Sequence, residues 1–172
     1  SRWAARARKL WRCIKDIELR VRLGYVLVLY HDWMGRLPAA TTTMEALREL
    51  ADRRDVSPFS RIATRFVEGH HGFMCADDSL GAEAVADGLA VAERSGVHVL
   101  DPSLIADGIY LSLGHGDLPR ADGYFARMAG IVTHIGRPGD HAHFHALAGW
   151  RALLAGDTAR ASRSRRSPRV RR

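Results

Sequence analysis

Two stretches of this chain, YLSLGHGDLPRA at residues 110–121 and WRALLAGDTARA at residues 150–161, spell nearly the same phrase 40 residues apart. In each, apolar residues precede a Gly-Asp step, and two variable residues, arginine and alanine follow it. The GHG of the first stretch begins like a phosphate-binding GxGxxG loop, but Pro119 stands where the third glycine belongs, and no strand pattern precedes it. The repeated phrase therefore predicts a repeated structural unit.

Each Gly-Asp step is typical of the corner between two helices. Gly116 can adopt the left-handed conformation that closes a helix, and Asp117 can accept backbone N–H groups at the start of the next one. Gly156 and Asp157 repeat this pair, and Asp78 begins a third Asp-x-x-x-Ala match. Helical spacing is found on both sides of the Gly116 corner, at Leu104, Ile105, Ile109, Tyr110 and Leu113 before it and at Leu118, Ala121, Phe125, Met128 and Val132 after it.

The predicted corners are evenly spaced along the chain. A fourth, weaker copy at Gly35 and Arg36 places them at positions 36, 78, 117 and 157, which are 42, 39 and 40 residues apart. Ser57 and Asp101 each precede a proline, as at a helix start, and Gly96 is placed to end a second helix, as is Gly136. The sequence therefore predicts an all-α fold, a tetratricopeptide-like helical-hairpin solenoid with about three to four irregular repeats of roughly 40 residues.

The chain is predicted to have three parts. Residues 1–22 form a basic N-terminal helix, on the spacing of Leu10, Ile14, Ile17 and Val21, residues 23–161 form the repeat domain, and residues 162–172 form a disordered Arg-rich tail. That tail is open to three interpretations: a native basic tail, an arm for nucleic acid or an acidic partner, or a truncated or out-of-frame sequence. Because the first methionine is Met34, we expect the chain to be a fragment or a processed product.

The net charge of +7 is unevenly distributed. Residues 158–172 contain seven arginines and no acid, whereas residues 1–157 carry 19 basic and 19 acidic groups. The body of the chain lacks the clustered basic residues that phosphate neutralisation requires, so nucleic-acid binding is not expected of it. No apolar run reaches the roughly 20 residues of a membrane span, so no membrane partner is expected. Two widely separated cysteines are typical of a reducing compartment, and we predict a cytoplasmic protein.

The sequence contains none of the common catalytic signatures. It has no phosphate-binding GxxxxGK[ST] loop and no GxSxG nucleophile elbow, and neither cysteine has a histidine in a context typical of catalysis. We therefore predict a protein that is not an enzyme and has no cofactor and no metal. One metal hypothesis stays open, in which His141, His143 and His145 bind zinc with Asp140 or His134. The absence of an HExxH motif favours a packing role for these histidines instead.

Ligand-binding residues are predicted on one first helix. A helical solenoid presents a concave surface lined by its first helices, and such surfaces bind peptides, partner proteins or small inducers. The polar candidates for this surface are Arg61, Arg65, Glu68 and His70. His71 shares a repeat position with Tyr110 and Trp150, which predicts a packing role for all three.

Three segments carry a resemblance to a known family: SPFSRIATRFVEGHHGFM, the stretch from GLAVAERSG to DGYFARM, and HAHFHALAGWRALLAGD. Together they resemble the helical-repeat region of large ATP-dependent LuxR-type bacterial transcriptional regulators, the MalT-like group, over roughly residues 20–160. In that family a nucleotide-binding module and a helix-turn-helix flank the repeats, which serve inducer sensing and self-association. Neither flanking module is present in this chain, so the resemblance implies a sensor or scaffold segment.

The functional prediction combines the repeat pattern with this resemblance. We predict a non-enzymatic sensor or protein-interaction module, a fragment of a signal-transduction or transcriptional regulator, that binds a protein partner or a small-molecule inducer and has a capacity for self-association. Two alternatives stay open. One is a general protein–protein scaffold unrelated to transcription, and the other is a metal-binding protein based on the histidines at 141–145.

Overall fold

The computed structural model describes residues 2–135 and 137–164, and every regular element within these ranges is an α-helix. The all-α class is therefore confirmed. None of the described helices combines the length and the hydropathy needed to cross a bilayer. The helices are α1 (Arg2–Cys13), α2 (Ile17–Trp33), α3 (Leu37–Ala51), α4 (Pro58–Cys75), α5 (Asp78–Ser95), α6 (Asp101–Gly114), α7 (Leu118–Ile135), α8 (Pro138–Leu154) and α9 (Thr158–Ser164).

The described helices divide into two compact units, the first ending at Leu104 and the second beginning at Ile105. In the first unit, α1 to α4 share one apolar core, and the indole Nε1 of Trp11 donates to the Arg20 carbonyl at 2.7 Å. Burying these side chains supplies the main driving force for packing the helices. The fully or nearly fully buried members of this core are Trp11, Val21, Leu27, Val28, Met44, Leu47 and Val67.

In the second unit, aromatic and apolar residues join α6, α7 and α8. The rings of Phe125 and Phe144 meet edge to face, with centroids 5.8 Å apart, and Gly108 leaves room for the ring of Tyr124. Met128 and Leu147 are buried on α7 and α8. These contacts give the unit an apolar core of its own.

The N-terminal region differs from the single helix predicted over residues 1–22. Helix α1 ends at Cys13 and α2 begins at Ile17, so the apolar spacing of this region runs across a break. The cause is Asp16, whose carboxylate accepts the Leu19 N–H at 2.9 Å and caps the start of α2.

Four of the turns between helices have the same backbone geometry. A left-handed residue stands at 35, 76, 116 and 156, positions that are 41, 40 and 40 apart. Each time, its N–H bonds to the carbonyl three residues earlier, and the following N–H bonds to the carbonyl five residues before itself, at 2.8–3.2 Å. This is the double hydrogen bond that satisfies the last carbonyls of a helix. Gly116 and Gly156 therefore lie at helix ends, as predicted.

The second of the predicted corners along the chain is displaced from Asp78. The left-handed residue there is Ala76, with φ 55°, and the capping carboxylate is Asp77, which accepts the Leu80 N–H at 3.2 Å. Asp78 is the first residue of α5. The sequence match pointed to Asp78 because alanine occupies the position that glycine holds at the other corners. By contrast, Asp117 accepts the Arg120 N–H at 3.0 Å, the capping role predicted for it.

The other predicted helix ends have mixed outcomes. Ser57 caps α4 through the Ser60 N–H, and Gly96 ends α5 with φ 71°, as predicted. Asp101 is already the first residue of α6, rather than the residue before it. Gly136 and most of the Arg-rich tail predicted at 162–172 lie outside the described residues, and the tail's first three residues belong to α9.

At a left-handed corner, replacing glycine by alanine should destabilise the fold, and replacing alanine by glycine should stabilise it. Gly116 has φ 72°, and a Cβ there would meet nothing within 4 Å, so only backbone strain acts on alanine. We expect Gly116→Ala to lower the free energy of unfolding by about 1 kcal/mol, and Ala76→Gly to raise it by up to about 1 kcal/mol. Urea unfolding measures both changes. Gly114→Ala, within α6 and equally uncrowded, is the control and should be neutral or stabilising; a loss there equal to that of Gly116→Ala would contradict the strain argument.

Candidate functional site

A cavity lined by charged residues lies in the first unit, among α3, α4, α5 and the residue following α3. It has a volume of about 280 Å³ and is open to solvent. We call it the arginine groove, and its lining residues are Ala51, Asp52, Arg61, Arg65, Asp87, Val91 and Arg94. Three guanidinium groups and two carboxylates thus surround a small apolar floor.

A buried carboxylate, that of Glu68, holds one of the arginines that line the arginine groove. Glu68, on α4, is 1% exposed and accepts hydrogen bonds from Arg48 of α3 and, at 2.7 Å, from Arg65 one turn before it. Both arginines are about one-third exposed, so their charged ends reach the surface while Glu68 stays beneath it. A buried charge is tolerated when it is paired and hydrogen-bonded. Glu68 therefore fixes the position of Arg65 in the groove.

The guanidinium of Arg65 is paired with carboxylates of the protein itself. Burial acts to lower the pKa of its guanidinium, but the hydrogen bond and charge of Glu68, together with Asp87 and Asp52, outweigh burial and raise that pKa. The Asp87 carboxylate lies 3.6 Å from Arg65 on the solvent side. Arg65 is thus a fixed cation at one edge of the groove.

Arg61 and Arg94 are the cations that are available to a ligand. Arg61 donates to the Arg53 carbonyl at 3.1 Å, while its Nε is buried without a partner among the described residues. Arg94 is exposed on α5, and no acid in the described part of the chain forms an ion pair with it. A guanidinium carries five N–H donors in a planar fork that matches a carboxylate. The groove therefore presents unused donors from α4 and from α5.

The four predicted ligand residues fall in three different environments. Arg61 and Arg65 line the arginine groove. Glu68 does not, because its carboxylate is buried behind Arg65. His70 lies near Trp33 and Phe66 instead, with ring centroids 6.4 Å apart in both pairs.

The residues that complete the groove were missed at the sequence level. Ala51 and Asp52 lie at the end of α3, and Asp87, Val91 and Arg94 are on α5. The spacing of the last three, i, i+4 and i+7, places them on one helix face and was the available signal. The prediction did not use this spacing because it placed the ligand-binding residues on first helices, whereas α5 is the second helix of its hairpin.

A second polar cluster joins α2, α3 and α4. His71 is buried; its Nδ1 lies 2.8 Å from an Asp32 carboxylate oxygen, and its Nε2 lies 2.9 Å from the Thr41 hydroxyl. The Cys75 sulfur, one turn further along α4, is 3.4 Å from Nε2. The packing role predicted for His71 thus includes a buried polar contact between helices.

The order cysteine, histidine, aspartate is also that of a nucleophilic triad, and Cys75 is an exposed residue whose sulfur packs against the buried His71. However, burial together with the charges of Asp32 and Asp77 raises the pKa of the Cys75 thiol. The reactive form of cysteine is the thiolate, which such surroundings disfavour. The i, i+4 spacing of His71 and Cys75 was a visible signal for the pair, but Asp32, 39 residues earlier, was not.

The histidines near residue 143 do not assemble around one point. His143 Nε2 lies 2.8 Å from the Tyr110 hydroxyl, and burial lowers the pKa of its imidazole despite Asp140. His134 Nδ1 instead lies 2.7 Å from the Gly130 carbonyl. The part of the chain that the structure describes contains no group of three histidine, cysteine, aspartate or glutamate side chains able to bind a metal ion. The metal hypothesis therefore lacks a third ligand within those residues.

Comparison with known proteins finds no matching family model, no matching curated protein and no matching solved structure. The resemblance to MalT-like regulators therefore stays a prediction from the sequence.

Proposed function

We propose that this chain is a non-enzymatic, tetratricopeptide-like module that binds a protein partner or a small-molecule inducer, as part of a cytoplasmic signal-transduction or transcriptional regulator capable of self-association. The arginine groove is the observation that carries this proposal. It combines an open volume of about 280 Å³ with unused donors on Arg61 and Arg94, the features of a site prepared for an anionic group.

The repeat architecture is supported by the four left-handed corners, which are 41, 40 and 40 residues apart and share one hydrogen-bond pattern. Contacts between alternate helices lend further support. Asp32 of α2 meets His71 of α4 in the first unit, and Tyr110 of α6 meets His143 and Trp150 of α8 in the second. A stack of helical hairpins brings alternate helices side by side in this way.

The non-enzymatic part of the proposal draws on the second polar cluster. Asp32, His71 and Cys75 have a triad-like order, but the thiol is held in its protonated form by the raised pKa of Cys75. Asp32 and His71 are moreover buried between helices, which suits a polar contact in a core.

The test compares the proteins and small molecules that bind to the chain with and without an intact arginine groove. The tagged chain, an Arg61→Glu/Arg94→Glu variant and an Arg127→Glu control are each exposed to an extract of the source organism, and bound proteins and small molecules are identified by mass spectrometry. We expect species retained by the unmodified chain and the control but lost from the groove variant. Helical circular dichroism verifies that all three are folded. If folded groove variant and control retain the same species, the groove is not the binding site and the proposal is wrong.

A further inference from the structure

We infer that the arginine groove binds a single carboxylate with an adjoining short aliphatic part, which the guanidinium groups of Arg61 and Arg94 hold between α4 and α5. This inference rests on the proposed function and specifies the chemistry of its ligand. The carboxylate has two sources, a small organic acid or an acidic side chain of a partner protein, and the recognition is the same for both.

The donor arrangement points to an oxygen anion. Arg61 and Arg94 both line the groove, one on each of two adjacent helices. The Arg61 guanidinium donates one hydrogen bond, to the Arg53 carbonyl at 3.1 Å, and a guanidinium has five N–H donors in one plane. Terminal donors of this group are therefore left for an oxygen anion, and a hydrogen bond between a guanidinium and an anion is a strong one.

The charge of the lining limits the ligand to about one negative charge. Three arginines and two aspartates line the groove, which leaves a net charge of +1. Asp52 and Asp87 are both exposed there, so a phosphate group with close to two negative charges would exceed the net positive charge of the lining and would lie near these two carboxylates. A carboxylate suits this balance better than a phosphate or a nucleic-acid backbone.

The apolar floor explains why the ligand needs an aliphatic part. Ala51 is 9% exposed, and Val91, one turn before Arg94, is half-buried beside it in the lining. Methylene groups next to the carboxylate would cover this surface and remove it from water. A bare inorganic anion would leave it uncovered.

Calorimetry on the folded chain tests the inference with three probes. Butyrate, a monocarboxylate with a short aliphatic chain, represents a small organic acid, the peptide pair acetyl-Ala-Glu-Ala-amide and acetyl-Ala-Gln-Ala-amide represents a protein side chain, and inorganic phosphate represents the competing anion. We expect saturable binding of butyrate or of the Glu peptide, with phosphate and the Gln peptide at least about tenfold weaker. Arg61→Gln and Arg94→Gln should each weaken binding about tenfold or more, and Arg127→Gln, an exposed arginine on α7, should not. Asp52→Asn should strengthen phosphate binding more than carboxylate binding.

The probes distinguish the two sources of the carboxylate, and they separate failure of this inference from failure of the proposed function. Tighter binding of butyrate identifies a small acid, and tighter binding of the Glu peptide identifies a protein partner; both support the inference. Phosphate binding at least as tight as the carboxylates, or no saturable binding of either carboxylate, overturns it. The proposed function fails separately, because it predicts groove-dependent capture from extract whatever the chemistry of the ligand.

Discussion

Replacement of Gly72 by alanine is expected to lower the free energy of unfolding by about 2–3 kcal/mol. A Cβ at Gly72 would lie 2.7 Å from the Cα and N of Gly81 and 2.8 Å from the Asp77 carbonyl oxygen. All three atoms are backbone, so no side chain can rotate away. Helices α4 and α5 must separate to admit the methyl group, and the arginine groove they frame would open with them. Urea unfolding followed by circular dichroism measures the loss.

Gly123→Ala is the matched control for this prediction. Gly123 is an exposed residue of α7, and a Cβ there would meet nothing within 4 Å. Alanine favours a helix over glycine by up to about 1 kcal/mol, so this variant should be slightly more stable than the parent. Equal stability of Gly72→Ala and the parent would show that α4 and α5 are not in close backbone contact.

Removal of both cations that neutralise Glu68 is the second large effect. An Arg48→Ala/Arg65→Ala variant leaves a carboxylate that is 1% exposed without the two arginines that pair with it. We expect the free energy of unfolding to fall by about 3–5 kcal/mol, the usual consequence of an uncompensated buried charge. Chemical denaturation at pH 7 measures this loss.

Two further variants isolate the charge as the cause. Adding Glu68→Leu to the double variant should recover most of the lost stability, because an apolar side chain of similar volume needs no ionic partner. Arg53→Ala removes a cation from an exposed pair with Asp55, at 3.1 Å, and should cost at most about 1 kcal/mol. If the triple variant is as unstable as the double one, lost packing rather than charge explains the effect.

Much of the helical pattern was predictable because turn chemistry is local. The residues around Gly116 and Gly156 carry a left-handed glycine followed by aspartate, and they do end α6 and α8. The predictions were wrong where another residue type takes the place of glycine at a corner, and where a capping residue interrupts an apolar pattern. Ala76 adopts the left-handed conformation without being glycine, and Asp16 interrupts an apolar spacing that continues across it. In both places the neighbouring structure outweighs a weak residue preference.

The candidate site was only partly predictable, since it depends on which helices meet. Arg61 and Arg65 could be selected as polar residues on a first helix, but several of the charged groups around them come from other helices. Arg48 approaches Glu68 from 20 residues earlier in sequence, and Arg94 enters the groove from α5. The contact between the ring of His70 and that of Trp33 on α2 was likewise not visible in the sequence. Periodicity shows which face a residue occupies, but not which neighbour covers that face.

The central claim is that Arg61 and Arg94 together form a binding site, and nuclear magnetic resonance of the arginine Nε–H groups tests it most directly. Butyrate or the Glu peptide is titrated into the folded chain while the Nε signals of Arg61, Arg94 and Arg127 are followed. The account predicts that the Arg61 and Arg94 signals shift together and saturate at one common affinity, while Arg127 stays unchanged. Shifts that grow without saturation at all three arginines, or saturation at neither Arg61 nor Arg94, would contradict it.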